Sequence, residues 1–408
     1  MKSTLVLICS LLALSPSGFA RQSGGNVKLD KRAYLKHLPA ARRYLTPDLN
    51  RQPVCGLSYL APGTRRLPDP RGAYRTEAVV PFDEVGDIRT FNAIDFSTEE
   101  RKFKKVVARA ETKGEHAYFY VDTTQSFDRK KLEELFTLFE TKIYATTTGI
   151  FGDEPRPGID GDPRITILFL PINESPTTVG DISGYFWPGN QFPKSQVKES
   201  NEREMLYIDI TRLNRFGVQD AASIIAHEFQ HLIHWNHDRD EEVWVNEGLS
   251  EYASFANGFG IPEDLMLFLA NTDITLMSWT NRPRDYARVF LWIAYLVDHF
   301  GGDGFARDLV ADPANGLAGL AHQLDRHQPG VTVERVFGDW AVANFLDDTA
   351  LGDGRYGYTS FELPALVPTV TFGFLPVADR FADVHAYASD YLLFSGGKNL
   401  VVTLRGPV

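Results

Sequence analysis

The segment Ala226-His227-Glu228-Phe229-Gln230-His231-Leu232-Ile233 carries two histidines four positions apart, with a glutamate directly after the first. Residues four apart share one face of a helix, so His227 and His231 can direct two imidazoles at one metal ion. Glu228 projects beside them, toward water held by that metal. Apolar residues fill most other positions, which is typical of a buried helix under a cleft.

A catalytic zinc ion has three protein ligands and one open position, so a third ligand is expected nearby. In the downstream segment Val245-Asn-Glu-Gly-Leu-Ser-Glu251, Glu247 and Glu251 lie about one helical turn apart and face the same way. Glu247 can bind the metal, and Glu251 can orient a ligand imidazole.

His237 is the alternative third ligand, because it follows His231 by six residues, as in the metzincin pattern. Leu276-Met277-Ser278-Trp279 also resembles the Met-turn of those enzymes. However, His234 replaces the glycine at which the metzincin chain turns, so Glu247 is favoured over His237. His234 lies on the metal face of the helix as well, and we interpret it as a packed or hydrogen-bonded histidine.

These two helices resemble those of the gluzincin peptidases, in which a second helix carries Asn-Glu-x-x-Ser-Asp or a close variant. The sequences His227-Glu-Phe-Gln-His-Leu-Ile-His234 and Trp244-Val-Asn-Glu-Gly-Leu-Ser-Glu-Tyr252 resemble the hyicolysin-type and immune-inhibitor-A-like secreted peptidases. The resemblance covers about residues 205–260 and implies that Glu247 is the third ligand. Glu251 stands where thermolysin-like enzymes have an aspartate. We therefore expect an α+β zincin-like domain, with a sheet-containing N-terminal lobe and a helical C-terminal lobe.

The expected function is that of a zinc-dependent endopeptidase acting on proteins or peptides. Zinc polarises the scissile carbonyl and activates water, while Glu228 acts as the general base. Tyr286 is the candidate hydrogen-bond donor to the developing oxyanion, although an aromatic that anchors its helix in the core is the alternative. The substrate main chain is expected along an edge strand at Gly184 to Trp187. Two other functions stay open: a catalytically inactive homologue that binds proteins, and a zinc hydrolase of non-peptide amides.

Residues 1–20 are typical of a secretory signal, because Lys2 precedes an apolar run and Gly18-Phe19-Ala20 offers a cleavage site. We therefore expect a secreted, extracellular protein. The formal net charge of −11 argues against a nucleic-acid surface. No later apolar run reaches the length of a membrane span, so none is expected.

The rest of the chain divides by composition. Residues 21–75 are rich in Arg, Pro and Gly, which is typical of a pro-region or leader. We predict a β-rich segment at 76–120, the metallopeptidase domain at 121–350, and a β-rich segment at 367–408 that either packs on that domain or begins another. Among the predicted elements are helices over Asp128 to Thr146 and Gly304 to Leu324, and a strand over Ile165 to Leu170.

Two weaker signals concern other ligands. Asp160-Gly161-Asp162, preceded by Asp153 and Glu154, has oxygen donors for Ca²⁺, although a solvated turn is the simpler interpretation. Cys55 lies in a segment that partly resembles the propeptide whose thiolate blocks zinc in the matrixins. Because the rest of that motif is missing, we interpret Cys55 as an ordinary or reactive thiol, with latency through it as the alternative.

Overall fold

The strands of the described residues form one sheet of seven strands and one of three. The computed structural model describes residues 4–10, 54–55, 82–97, 102–172, 182–377, 383–395 and 401–403. Helices and both sheets together confirm the predicted mixed α+β class. The chain divides into two compact units, one of residues 48–264 and 279–330, the other of residues 1–47, 265–278 and 331–408.

The strands are β1 (Thr4–Ser10), β2 (Val54–Cys55), β3 (Ile88–Ile94), β4 (Phe103–Lys113), β5 (Ala117–Asp122), β6 (Ile165–Leu170), β7 (Ile182–Phe186), β8 (Met205–Asp209), β9 (Val370–Phe372) and β10 (Ser389–Ser395). The helices are α1 (Arg129–Leu138), α2 (Tyr144–Phe151), α3 (Val218–His237), α4 (Val243–Ser254), α5 (Leu265–Leu269), α6 (Pro283–Phe300), α7 (Asp303–Val310), α8 (Gly316–His327) and α9 (Val333–Leu346). Short π-helical turns occupy Phe139–Ile143, Arg212–Phe216 and Phe255–Phe259.

The seven-stranded sheet has the order β2-β7-β8-β6-β5-β4-β3. Its centre is parallel, since β6 pairs in parallel with both β5 and β8. β7 pairs antiparallel with β8, and β4 pairs antiparallel with β3 and β5. β6 and β8 are buried along their whole length, as expected of apolar strands with both faces covered. β3 and β4, from the 76–120 segment, thus belong to the same sheet as the strands that follow.

The structure differs from the predicted elements in two places. The predicted helix over Gly304 to Leu324 is wrong, because α7 ends at Val310 and α8 begins only at Gly316. Pro313 lies between them, and a proline inside a helix removes a hydrogen bond and clashes with the preceding turn. β4 lies outside the predicted strands, although buried Val106 and Ala108 alternate with exposed Val107 and Arg109, which is the pattern of a half-buried strand.

The second unit contains the three-stranded sheet, in which β10 pairs antiparallel with β1 and parallel with β9. β1 lies within the predicted secretory signal, which stays a prediction together with its cleavage site. The predicted pro-region lies outside the described residues except for positions 54 and 55. In the part of the chain that is described, no helix combines the length and apolar composition needed to cross a bilayer.

Glu204, directly before β8, is a buried carboxyl group in the unit that contains the seven-stranded sheet. Its Oε1 accepts a hydrogen bond from Ile159 N at 3.1 Å, while Oε2 has no hydrogen-bond partner among the described residues. Burial, together with the nearby charges of Asp160 and Glu154, raises the pKa of Glu204 from 4.5 to about 8. Glu204 is therefore protonated in the folded chain at neutral pH.

We predict that Glu204→Gln stabilises the fold at pH 8 by roughly 1–3 kcal/mol. Between pH 4.5 and about 8 the unfolded chain loses this proton while the folded chain keeps it, so wild-type stability falls as pH rises. Glutamine keeps the shape without that cost, so its advantage is expected to shrink at pH 5. Urea unfolding at both pH values measures this, with Glu134→Gln, an exposed residue, as the control. Equal effects of Glu204→Gln at the two pH values would contradict the prediction.

Candidate metal centre

Helix α3 positions both histidines of the motif. It begins after Gly217, whose φ of 97° ends the preceding π-helical turn, and it contacts β7, β8 and α4. Phe229, between the histidines, is fully buried and packs against Phe139 and Tyr144 with ring centroids 5.6 Å away in each case. His227 and His231 lie on the opposite face of α3 and therefore point toward α4. Both imidazoles are buried.

The two imidazoles present the same nitrogen to each other. His227 Nε2 and His231 Nε2 lie 3.1 Å apart. His227 Nδ1 lies 3.2 Å from Glu251 Oε1, and His231 Nδ1 lies 2.6 Å from Asn246 Oδ1. If those oxygens accept the Nδ1 hydrogens, both Nε2 atoms can present lone pairs to a metal. At this distance the two nitrogens need a proton or a metal cation between them.

Glu247 on α4 completes a three-donor group. Its Oε2 lies 3.2 Å from His227 Nε2 and 3.6 Å from His231 Nε2. Oε1 is buried and has no hydrogen-bond partner among the described residues. Gly248 lets α4 approach α6 closely, since a Cβ there would come within 2.7 Å of Ile293 Cγ1. The packing of α4 thus brings a carboxylate that is fully buried to the imidazole pair.

Cys55 is the fourth member of the group. The donor atoms of Cys55, His227, His231 and Glu247 all lie within 4.8 Å of one another. Cys55 Sγ is 3.4 Å from His231 Nε2 and 3.5 Å from Glu228 Oε2, to which the thiol donates. All four side chains are buried, and this group of imidazole, carboxylate and thiol donors can hold a metal ion.

The charges around the imidazoles favour a cation. Burial by itself would lower the pKa of His227, but Glu247 and Glu251 hold it well above its ordinary value. Burial would raise the pKa of Glu247, but His231 and His227 hold it below its ordinary value. The same negative potential that favours a proton on His227 also favours a divalent cation.

Glu228, the predicted base, lies on the sheet side of the cluster. Burial raises its pKa, while His227 and His231 act in the opposite direction. Gly184 on β7 makes this approach possible, because a Cβ there would lie 2.8 Å from Ile224 Cγ2 and 3.1 Å from Glu228 Cγ. A cavity adjoins this point and is lined partly by Gly184, Glu228, Glu251 and Tyr286.

Tyr286, the predicted oxyanion donor, lies on α6 beside the same cavity. Its hydroxyl accepts a hydrogen bond from Cys55 N at 3.2 Å and donates one to Asn281 Oδ1 at 2.7 Å. Its ring packs edge-on against Trp279 with a centroid distance of 4.8 Å. Tyr286 therefore has both a packed ring and a hydroxyl that bonds a main-chain amide in the site.

The alternative third ligand, His237, is not in this group. It is exposed at the end of α3, and its Nε2 lies 3.1 Å from Asp153 O. His234 is packed, as interpreted: this imidazole is fully buried, and neither ring nitrogen has a hydrogen-bond partner among the described residues.

The turn at Asp160 to Asp162, the predicted calcium candidate, is engaged by other side chains. Asp162 accepts hydrogen bonds from Tyr118 Oη at 2.7 Å and Arg164 Nη1 at 3.0 Å, and Asp160 Oδ2 lies 3.8 Å from Arg203 Nε. The donor groups close enough to share a cation, within the described ranges, do not include this turn. Calcium binding there stays a prediction that these contacts do not favour.

The sequence does not single out Cys55 as a member of the metal-binding group, in which the structure places it. The available signal was the partial likeness of its segment to an inhibitory propeptide, but the sequence separates Cys55 from His227 by more than 170 residues. β2, which pairs in parallel with β7, brings the thiol to the imidazoles. Comparison with protein-family models and with curated proteins finds no match, so the site is interpreted from its own geometry.

We predict that Glu247→Ala weakens zinc binding by more than about 100-fold, because loss of a direct ligand exceeds the 10–100-fold cost of losing an outer partner. His237→Ala is expected to bind zinc as tightly as the wild type, since His237 bonds only to a backbone carbonyl outside the group. Titration of both variants against a zinc chelator measures the two affinities. The opposite ranking would restore His237 as the third ligand.

Proposed function

We propose that the chain is a secreted zinc-dependent endopeptidase of zincin-like fold, with His227, His231 and Glu247 as gluzincin-type metal ligands. The observation that carries the proposal is the convergence beside Glu228 of the two Nε2 atoms and the Glu247 carboxylate, whose Oε1 has no hydrogen-bond partner among the described residues. The signal-like N-terminus supports secretion.

The donor spacing supports zinc as the metal. In a tetrahedral site with Zn–N distances of about 2.0–2.1 Å, two ligand nitrogens lie roughly 3.3 Å apart, and a nitrogen and a sulfur roughly 3.6 Å apart. The corresponding distances here are 3.1 Å between the Nε2 atoms and 3.4 Å between His231 Nε2 and Cys55 Sγ. A set of imidazoles, a carboxylate and a thiolate is also what zinc accepts, whereas calcium and magnesium take oxygen ligands.

The chemistry divides between the metal and the chain. Bound zinc polarises the scissile carbonyl and lowers the pKa of water. Glu228 takes a proton from the attacking water and returns it to the leaving amine. Its raised pKa brings it closer to the working pH, as proton transfer in both directions requires. Tyr286 donates a hydrogen bond to the oxygen that becomes negative, at the side of the site where its hydroxyl now bonds Cys55 N.

We expect the substrate main chain to pair with strand β7. Cys55 pairs with Gly184, so β7 already accepts a chain segment through its main-chain groups, next to the ligands. An extended peptide added to this edge would place a carbonyl near Glu228. Its side chains would enter the adjoining cavity. That mode of binding favours a peptide over a small non-peptide amide.

An inactive binding homologue has no need of Glu228. We predict that Glu228→Gln lowers casein cleavage by about 10²–10⁴-fold and leaves zinc content unchanged, because the residue moves protons and is not a ligand. Glu134→Gln, an exposed carboxylate on α1 that does not line the cavity, is the control and is expected to cleave normally. Cleavage is measured on chains freed of any inhibition by Cys55. Zinc-loaded wild type that cleaves no protein, or a Glu228→Gln variant with full activity, would refute the proposal.

We also propose that the full chain is a latent precursor. Cys55 Sγ, between His231 Nε2 and Glu228 Oε2, occupies the place that attacking water needs. β2 simultaneously covers β7, and Tyr286 bonds the amide of Cys55 rather than a substrate. A thiolate there serves as a fourth ligand, since a thiol that coordinates zinc is deprotonated. Inhibition ends when the thiol is withdrawn or its segment is removed.

We predict that Cys55→Ser cleaves casein without activation, whereas the wild-type chain needs an organomercurial that binds the thiol. Cobalt substitution gives a second measurement, because only a thiolate ligand produces a sulfur-to-cobalt charge-transfer band, which Cys55→Ser should lose. Cys9→Ser, the other cysteine, is expected to behave as wild type. Unchanged latency in Cys55→Ser, with no band in the wild type, would rule the latch out.

A further inference from the structure

A second group of donor atoms lies at the end of α3, one turn beyond His231. It consists of His234, Asp238 and Glu241, whose donor atoms lie within 4.8 Å of one another. His234 is fully buried, and Asp238 and Glu241 are 7% and 9% exposed. None of the three belongs to the cluster of His227, His231, Glu247 and Cys55 described above.

The hydrogen bonds of this group point to a ligand. Each carboxylate is anchored through one oxygen: Asp238 Oδ1 accepts from Asp240 N at 3.4 Å, and Glu241 Oε1 accepts from Gly316 N at 2.7 Å. The other oxygens, Asp238 Oδ2 and Glu241 Oε2, are buried without a hydrogen-bond partner among the described residues. Both ring nitrogens of His234 are also buried without a hydrogen-bond partner among the described residues. Buried polar atoms are nearly always paired, so unsatisfied donors and acceptors on three adjacent residues require an explanation.

The group does not satisfy itself, because none of these atoms makes a hydrogen bond to another. A buried imidazole is favoured in its neutral form, which offers a lone pair. Burial and the neighbouring Asp240 raise the pKa of Asp238 to about 6, and burial raises the pKa of Glu241 to about 7, so protons compete with a cation for these oxygens. Two carboxylates and a neutral imidazole carry up to two negative charges, which one divalent cation would balance.

We propose that His234, Asp238 and Glu241 bind a second divalent metal ion of the zinc class. An imidazole with two carboxylates is a ligand set for zinc and its transition-metal neighbours, whereas Ca²⁺ and Mg²⁺ prefer all-oxygen sites. Three protein donors leave a coordination position for water. The cation replaces the missing hydrogen bonds of all three side chains.

The place of this site in the fold indicates a structural role. His234 and Asp238 come from the end of α3, which carries two ligands of the first site, and Glu241 precedes α4, which carries the third. The connecting loop is also held to the start of α8, because Asn315 Nδ2 donates to Asp240 O at 2.6 Å and Gly316 N to Glu241. A cation here would fix the turn between the two helices that must meet at the first metal.

Metal counting on the full chain tests the proposal. Wild type and the double variant Asp238→Asn/Glu241→Gln are saturated with zinc alone, freed of excess by gel filtration and analysed for metal per chain. We expect two zinc ions in the wild type and one in the double variant. His237→Gln, an exposed histidine on the same turn, is the control and should keep two. A parallel sample with calcium alone should leave this site empty.

Melting temperatures show whether the double variant still folds. The double variant removes buried charge, so its metal-free form should melt no lower than metal-free wild type, and it should lose part of the zinc-dependent rise in Tm. At zinc concentrations about 100 times the dissociation constant, one site contributes a rise of about 3 °C. An equal rise in both proteins, or one zinc per wild-type chain that the double variant retains, would overturn the proposal. Two zinc ions without any proteolysis would instead contradict the proposed function and leave this site intact.

Discussion

Two imidazole nitrogens only 3.1 Å apart in a buried site are the constraint on which the rest of this structure depends. The helix period places them on one face of α3, and their outer nitrogens are held by Glu251 and Asn246 from α4. Such a pair is unfavourable unless something positive lies between the rings. The arrangement is therefore stable only as part of a larger group that includes the carboxylate of Glu247.

That group needs two packing conditions. α4 must lie close to α6, which the missing side chain of Gly248 permits, and β7 must lie close to α3, which Gly184 permits. The first condition delivers Glu247, and the second brings the sheet edge against Glu228. The proposed peptidase chemistry and the proposed latency share this second condition, because substrate and Cys55 would use the same edge of β7.

Negative charge is concentrated along one stretch of the chain, from Glu228 to Glu251. In the first group, carboxylates surround imidazoles and raise the pKa of His227. In the second, His234 and two carboxylates are buried without enough hydrogen bonds. A single helix-loop-helix thus contains two places where burial is costly in the absence of a cation, and both would become favourable with one bound. We infer that metal binding and the folding of this region are coupled.

Much of the local structure could be predicted from the sequence. The 3.6-residue period, the spacing of His227 and His231, and the apolar run of β6 each follow from neighbouring residues, and the structure agrees on α3, α4 and β6. Pro313 divides the predicted helix over Gly304 to Leu324, whereas the alternation in β4 is a strand signal that the prediction did not use.

The sequence by itself determined that His227, Glu228 and His231 lie side by side on one helix, because those relations lie within a few residues of chain. Only the tertiary structure placed Glu247 rather than His237 beside the imidazoles, brought Cys55 to them, and left His234 without a hydrogen-bond partner among the described residues. These outcomes depend on how α4, β2 and the loop before α4 pack against α3. Contacts between segments far apart in the chain leave no periodic trace in the sequence.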